Sequence, residues 1–145
     1  MKVYTREDAA QLIEKSEGQV IDPSKPGALG HSHAHVGSLK SPALDLPSRR
    51  KLTTMYRNRA QAEKDLRDLL NRHSPQLEVL PKSASIEFSD PVNEPRQVYV
   101  VEPVGAHYSY AGESVKTEQR QELFVKIMRG ADGTLHLRTM YLKGN

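Results

Sequence analysis

Hydrophobic positions recur with two different periods along this 145-residue chain. In YTREDAAQLIEKSEG, Thr5 and Asp8 form an imperfect capping box ahead of apolar positions that begin at Ala9. This pattern predicts a short helix over residues 6–16 that ends before Gly18. The following DPSKPGALG contains two prolines and two glycines, which is typical of a loop.

A longer helix is predicted in the middle of the chain. Its pattern starts from Thr53 or Thr54 as the N-cap and ends near Ser74-Pro75, where the proline interrupts it. The positions that recur at helical spacing are Met55, Ala62, Leu66, Leu69 and His73.

Beyond Pro75 the pattern changes to the period of two that is typical of strands. The segments SASIEFSD, RQVYVVEPV, QELFVKIMRG and TLHLRTMYL alternate in this way, and GADG between the last two is a strong hairpin signal. Because helices precede strands along the chain, we expect an α+β fold with N-terminal helices and a C-terminal antiparallel sheet.

Strict alternation assigns each side chain of the last strand to one face of the sheet. One face would carry Leu135, Leu137, Thr139 and Tyr141, and the other would carry His136, Arg138 and Met140. The hydroxyls of Thr139 and Tyr141 would then lie about 7 Å apart, and together they can bind a base edge or a phosphate oxygen. Threonine and tyrosine are also simply good strand formers.

The charge balance permits a polyanionic partner without requiring one. Lysine and arginine outnumber aspartate and glutamate by 21 to 18, and the pI is about 9.2. The segment SRRKLTTMYRNR concentrates five cations and no acid. The chain has no cysteine, which excludes disulfides and thiolate metal sites. No apolar run approaches the roughly 20 residues of a membrane-spanning helix, so we expect no membrane anchor.

The stretch GHSHAHVGSL places His31, His33 and His35 at every second position. Three interpretations are open: a catalytic base, a zinc site, or surface histidines without a chemical role. A zinc site would need further ligands, and those available are Asp45, Glu87, His107 and His136.

Three segments together resemble a known family. GHSHAHVG, MYRNRAQAEKDLRDLL and DGTLHLRTMY are similar, in order and approximate spacing, to the ribonuclease A-like C-terminal toxin domains of bacterial contact-dependent growth inhibition systems. The resemblance covers residues 28–145 and leaves residues 1–27 as an N-terminal extension with a short helix. It implies a two-lobed, kidney-shaped ribonuclease A-like fold and a metal-independent endoribonuclease without cofactor.

The resemblance also implies a biological setting and site residues. Such a toxin is delivered by the producing bacterium, acts on RNA, with tRNA as one candidate target, in the cytoplasm of the target cell, and is neutralised by a cognate immunity protein; we expect a monomer. The histidine before Val-Gly is His35, the Thr-x-Tyr pair is Thr139 and Tyr141, and the family arginine matches Arg49, with Arg50 a near equal.

Two departures from the family pattern are present. The family places an earlier histidine five residues before His-Val-Gly, whereas His31 and His33 stand four and two residues before His35. The family strand commonly ends in Tyr-Pro, and here Leu142 follows Tyr141.

The residue chemistry suits RNA cleavage by the substrate's own 2′-hydroxyl. A neutral imidazole at His35 would remove the proton, and a guanidinium at Arg49 or Arg50 would stabilise the phosphorane. A second histidine would protonate the leaving 5′-oxygen. His31, His33 and His136 are candidates, although alternation places His136 on the strand face opposite Thr139. The products would be a 2′,3′-cyclic phosphate and a 5′-hydroxyl.

A predicted phosphate track completes the site. Its substrate-binding residues are Arg50, Lys51, Arg57, Lys126 and Arg138. The same cations are equally consistent with a solvated surface. Two alternative functions therefore stand beside the ribonuclease: a zinc-dependent hydrolase and a non-catalytic module that binds RNA or protein.

Overall fold

The computed structural model describes residues 2–16, 53–101, 103–104, 107–108 and 115–143. Three helices and six strands lie in these ranges. They are α1 (Arg6–Glu14), β1 (Thr53–Tyr56), α2 (Arg59–Arg72), α3 (Ser74–Glu78), β2 (Ser85–Val101), β3 (Pro103–Val104), β4 (His107–Tyr108), β5 (Val115–Arg129) and β6 (Leu135–Lys143). Helices and an antiparallel sheet confirm the predicted α+β class.

The main sheet has four antiparallel strands in the order β1-β2-β5-β6, and β3 pairs with β4 separately. Two predicted strands, SASIEFSD and RQVYVVEPV, lie for the most part in the single strand β2, and the second extends to β3. The register between β2 and β5 shifts between Pro91 and Arg96. The two outer strands β1 and β6 also contact each other, so the sheet is curved.

Helix α1 begins where its sequence predicts. The Thr5 hydroxyl accepts from the Asp8 backbone N–H, and the Asp8 carboxylate accepts from the Thr5 N–H, which completes the capping box. These hydrogen bonds lower the pKa of Asp8. Ala9 and Ile13 are buried in the same core as the sheet. The predicted boundary at residue 27 lies outside the described residues.

The predicted start of the second helix is wrong. Thr53 and Thr54 lie in strand β1, which pairs with the end of β2, and helix α2 begins only after the N-cap Asn58. The Asn58 side chain accepts a hydrogen bond from Ala60 N at 2.9 Å. Threonine is β-branched and fits a strand better than a helix, so pairing with β2 outweighs the helical spacing of Met55.

One face of the sheet forms the hydrophobic core with the helices. The largest side chains that are fully buried are those of Ile13, Leu66, Leu69, Leu70, Leu77, Leu123, Ile127, Leu137, Met140 and Leu142. The Ser16 hydroxyl donates to the backbone carbonyl of Leu137 at 2.7 Å and ties the end of α1 to β6. The core therefore joins elements from both ends of the described chain.

The GADG hairpin is confirmed, but the strand after it does not alternate strictly. Gly130 N donates to Thr134 O at 2.8 Å, and Gly133 adopts a φ of +87°, which glycine tolerates best. Ile127 pairs with Leu137 and its neighbour Lys126 pairs with Thr139, so Arg138 is an extra residue, a β-bulge. The expectation that Leu137 and Thr139 share a face is therefore wrong.

Candidate functional site

Half of the predicted site lies outside the described residues. This part comprises His31, His33, His35, Arg49, Arg50 and Lys51. The described part consists of Arg57, Lys126, Arg138, Thr139 and Tyr141.

Three of these five residues, Lys126, Thr139 and Tyr141, lie on the face of the sheet opposite the core, which we call the outer face. Cross-strand pairing with β5 places His136 beside Met128, Thr139 beside Lys126, and Tyr141 beside Phe124. Because these β5 partners are two residues apart, the three β6 side chains form a row at intervals of about 7 Å. The prediction that Thr139 and Tyr141 share a face is confirmed.

The predicted position of His136 is wrong for the same reason as that of Leu137. The bulge at Arg138 changes the phase of the alternation, so His136 lies on the outer face with Thr139 and not on the opposite one. Leu137, Met140 and Leu142 all belong to the core. One additional residue thus adds a histidine to the face that carries the predicted Thr-x-Tyr pair.

Two buried polar atoms at the bulge have no hydrogen-bond partner among the described residues. They are the Thr139 hydroxyl oxygen Oγ1 and the Arg138 guanidinium nitrogen Nε. Thr139 is only 6% exposed. Since nearly all buried polar atoms in folded proteins are hydrogen-bonded, two adjacent exceptions mark this place as unusual.

Aromatic and charged side chains surround the row. The rings of Phe124 and Tyr141 lie 5.0 Å apart at 37°, and the Lys143 ammonium lies 5.6 Å from the Phe124 centroid. Lys126 forms an ion pair with Glu87 on β2 at 3.6 Å. Both a cation and an aromatic surface are therefore next to Thr139 and Tyr141.

His136 is held by a short hydrogen-bonded chain from the hairpin turn. The Thr134 hydroxyl lies 2.7 Å from Asp132 Oδ1 and 2.9 Å from His136 Nε2. If Thr134 donates to the carboxylate, it must accept from Nε2–H, which leaves Nδ1 outside this hydrogen-bonded chain. The backbone and hydroxyl of Thr134 lower the pKa of Asp132, so this carboxyl stays ionised at neutral pH.

Arg57 lies at the other end of the sheet. It follows β1, and its Nη1 donates to the Gln97 side chain on β2 at 2.5 Å. Gln97 pairs with Gln119, seven positions along β5 from Lys126, which is a separation of about 20 Å along the strand. The predicted phosphate track stays a prediction, and two of its described members, Arg57 and Lys126, lie at different ends of the sheet.

A buried polar cluster was missed by the sequence analysis. The Asp65 carboxylate accepts from the Tyr56 hydroxyl at 3.0 Å and from Arg96 Nε and Nη2 at 3.1 and 3.0 Å. Burial, followed by the nearby Asp65 charge, raises the pKa of Tyr56 well above its usual value, and Asp65 raises that of Arg96. The available signal was Asp65 itself, an acid among the apolar positions Ala62 and Leu66.

A second missed cluster lies at the end of α2. Asp90 Oδ2 lies 2.5 Å from His73 Nε2 and accepts from Arg72 Nη1 at 2.9 Å. The His73 ring stacks on Phe88 with centroids 4.0 Å apart, and its Nδ1 is buried with no described partner. The sequence pattern predicts His73 only as one of the positions that recur at helical spacing along this helix.

For the predicted zinc alternative, the ranges that the structure covers contain no cluster of suitable ligands. No group of three or more histidine, cysteine, aspartate or glutamate residues there is arranged to hold a metal ion. None of the described helices has the length and apolar content required to cross a membrane.

Comparisons of the chain with protein-family models, with curated proteins and with solved structures find no match.

Proposed function

We propose that this protein is a metal-independent endoribonuclease that acts as a toxin between competing bacteria. The observation that carries the proposal is the outer-face row of His136, Thr139 and Tyr141, in which Thr139 has a buried hydroxyl without a described partner. A polar group left unpaired costs stability, so its retention favours a role in binding or catalysis.

The row offers the functional groups that RNA cleavage requires beyond a base. The Thr139 hydroxyl can donate to a phosphate oxygen or a base edge, and the Lys126 ammonium opposite it carries the charge that favours a phosphodiester. The half-buried rings of Phe124 and Tyr141 offer an apolar surface on which an unpaired base can stack. Single-stranded RNA is the substrate class that these groups fit best.

The proposed reaction needs a base, a cation and an acid. His35 removes the 2′-hydroxyl proton, the 2′-oxygen attacks phosphorus, and Arg49 or Arg50 stabilises the charge of the phosphorane. The P–O5′ bond then breaks, and a second histidine gives its proton to the leaving oxygen. Strand β1 begins two residues after Lys51 in the sequence and contacts β6, which supports a site formed by both.

His136 is, together with His31 and His33, a candidate for the acid in this proposal. It shares the outer face with Thr139, and the Asp132–Thr134 pair fixes its ring. The finer parts of the proposal are the two-lobed ribonuclease A-like fold, delivery into the cytoplasm of a target cell, and inhibition by a cognate immunity protein. The resemblance of the three sequence segments supports them.

Purified protein incubated with total RNA in excess EDTA tests the function. We expect cleavage that leaves 2′,3′-cyclic phosphate and 5′-hydroxyl ends, and we expect His35→Ala to reduce it by about 10²-fold or more. His107→Ala is the matched control and should cleave like the wild type. Cleavage that chelator removes would indicate the zinc hydrolase, and no cleavage with or without Zn²⁺ would indicate a binding module.

The acid is tested with two substrates. A dinucleotide needs its 5′-oxygen leaving group protonated, whereas a nucleoside 3′-(4-nitrophenyl phosphate) has a leaving group that departs without a proton. If His136 is the acid, His136→Ala should slow only the dinucleotide, by about 10²-fold. Equal loss on both substrates would mean that His136 only positions other groups.

A further inference from the structure

A second charged feature lies on the helical side of the sheet, away from the outer face. It is a cavity of about 310 Å³ between the start of α1, one side of α2 and strand β2. Its lining consists of Arg6, Ala60, Gln61, Lys64, Arg67 and Arg96. Four of these six side chains are cationic and none is acidic.

Each arginine of the cavity is oriented by a carboxylate that is not part of the lining. Arg6 Nε lies 3.1 Å from Glu63, and Arg67 uses Nε and Nη2 on Asp68. Arg96 uses Nε and Nη2 on Asp65. In each pair, Nη1 has no recorded partner among the described residues. The carboxylates therefore fix the guanidinium groups and leave donors for a ligand.

Lys64 contributes the charge that no described carboxylate balances. It is exposed and lies one turn before Arg67 on α2. Arg96, in contrast, has only 8% of its side chain exposed and is held in place by its ion pair with Asp65. A site that combines an exposed ammonium with a preorganised guanidinium loses less entropy on binding than one made of surface lysines alone.

The start of helix α2 adds a second favourable contribution. Ala60 and Gln61 belong to its first turn, and that turn contains no acidic residue. The positive end of the helix dipole is thus not neutralised locally, and it favours an anion at this position. The dipole of α2 and the cationic side chains of the cavity therefore both favour an anionic ligand.

We propose that this cavity binds a phosphate group. Phosphate offers several acceptor oxygens, which suits donors that approach from α1, α2 and β2, whereas a carboxylate offers two. The phosphate can come from an RNA backbone or from a free phosphate compound. The inference does not rest on the proposed ribonuclease activity, because binding at this cavity requires neither His35 nor Thr139.

The test uses Lys64→Gln and Arg67→Gln, with Lys82→Gln as the charge-matched control. Lys82 precedes β2 and lies near Gly133 of the hairpin turn, outside the cavity lining. Thermal unfolding of all variants in buffer without phosphate first establishes that each is folded. The binding measurements then use two probes that the protein does not cleave, a 2′-O-methyl single-stranded RNA and inorganic pyrophosphate.

If the RNA backbone is the source, each cavity variant should bind the oligonucleotide at least about threefold more weakly than Lys82→Gln does. The slope of log affinity against log salt should fall by about 0.7 for each lost phosphate contact. If a free phosphate compound is the source, pyrophosphate should raise the Tm of the wild type and of Lys82→Gln but not that of the cavity variants. Equal behaviour of all variants with both probes would overturn the proposal.

Discussion

The two faces of the sheet differ in whether their buried polar groups are hydrogen-bonded. On the core side, Asp65 pairs with both Tyr56 and Arg96, and every oxygen of its carboxylate accepts a hydrogen bond. At the bulge, Thr139 Oγ1 and Arg138 Nε are buried without a described partner. A satisfied cluster stabilises one arrangement, whereas an unsatisfied one costs stability unless a ligand supplies the missing partner.

This difference separates residues that hold the fold from residues that are free to act on something else. Asp65 has little capacity left for a ligand, whereas the Thr139 hydroxyl has no hydrogen-bond partner among the residues that the structure describes. Substitutions on the two sides should therefore affect different measurements. Core-side changes should alter the free energy of unfolding, and bulge changes should alter activity.

The largest effect is expected from Asp65→Ala. The change leaves the Arg96 guanidinium buried without a counter-charge, which typically costs about 3–5 kcal/mol. Urea unfolding measures the loss. Asp68→Ala is the control, because the side chain of Asp68 is 32% exposed in its pair with Arg67 and the loss should stay below about 1 kcal/mol. Equal losses for the two variants would remove the distinction between the faces.

Thr139→Val should lower RNA cleavage by about 10²-fold, because loss of one hydrogen-bond donor at a reacting phosphate has an effect of that size. The free energy of unfolding should stay within about 1 kcal/mol of the wild type or increase, since no described hydrogen bond is lost. Initial rates and urea unfolding on one preparation measure both. A variant that unfolds more easily and cleaves normally would make Thr139 a structural residue.

Alkaline pH should destabilise the protein through Tyr56. Its raised pKa means that, above about pH 10, the unfolded chain loses the phenol proton while the folded chain keeps it. Stability from this group is complete below pH 10 and falls by up to about 1.4 kcal/mol per pH unit above it. Urea unfolding from pH 8 to 11 measures the slope.

Tyr56→Phe should reduce that slope without abolishing it, because burial raises the pKa of Tyr4 as well. An unchanged slope in this variant would show that Tyr56 does not contribute to the alkaline loss of stability.

The smallest effect on stability is expected from deleting Arg138. Without the bulge, Leu137 and Thr139 become neighbours that alternate correctly with Met140, so every other side chain keeps its face. We expect the free energy of unfolding to change by about 1 kcal/mol or less, measured by urea unfolding. Deleting Met140 is the control, and its loss should be several times larger because a buried side chain is removed.

Short sequence motifs correctly predicted those structural elements that are determined by neighbouring residues. The Thr5–Asp8 capping box located the start of α1, and GADG located the hairpin, because both depend on neighbouring residues. The start of α2 was misplaced because pairing of Thr53 and Thr54 with β2 involves residues about 45 positions away. The hydrophobic periodicity of a segment does not indicate which distant segment it pairs with.

The faces of the candidate-site residues were predicted correctly only where side chains alternate regularly along the strand. Thr139 and Tyr141 were correctly placed on one face, and His136 was not, because a bulge leaves no periodic mark in the sequence. Asp65 and Arg96 were missed because their partners come from α2, β1 and β2, which only the folded chain brings together.

The contact between α1 and β6 also determines when folding can finish. Ser16 and Leu137 are joined across more than a hundred residues, so the loop between them must close before the core is complete. The hairpin of β5 and β6 can form within microseconds, whereas the pairing of β1 with β2 and the docking of α1 are non-local and slower. We therefore expect a folding rate limited by the N-terminal half, and an outer-face row on the β5–β6 hairpin that forms before this slow step.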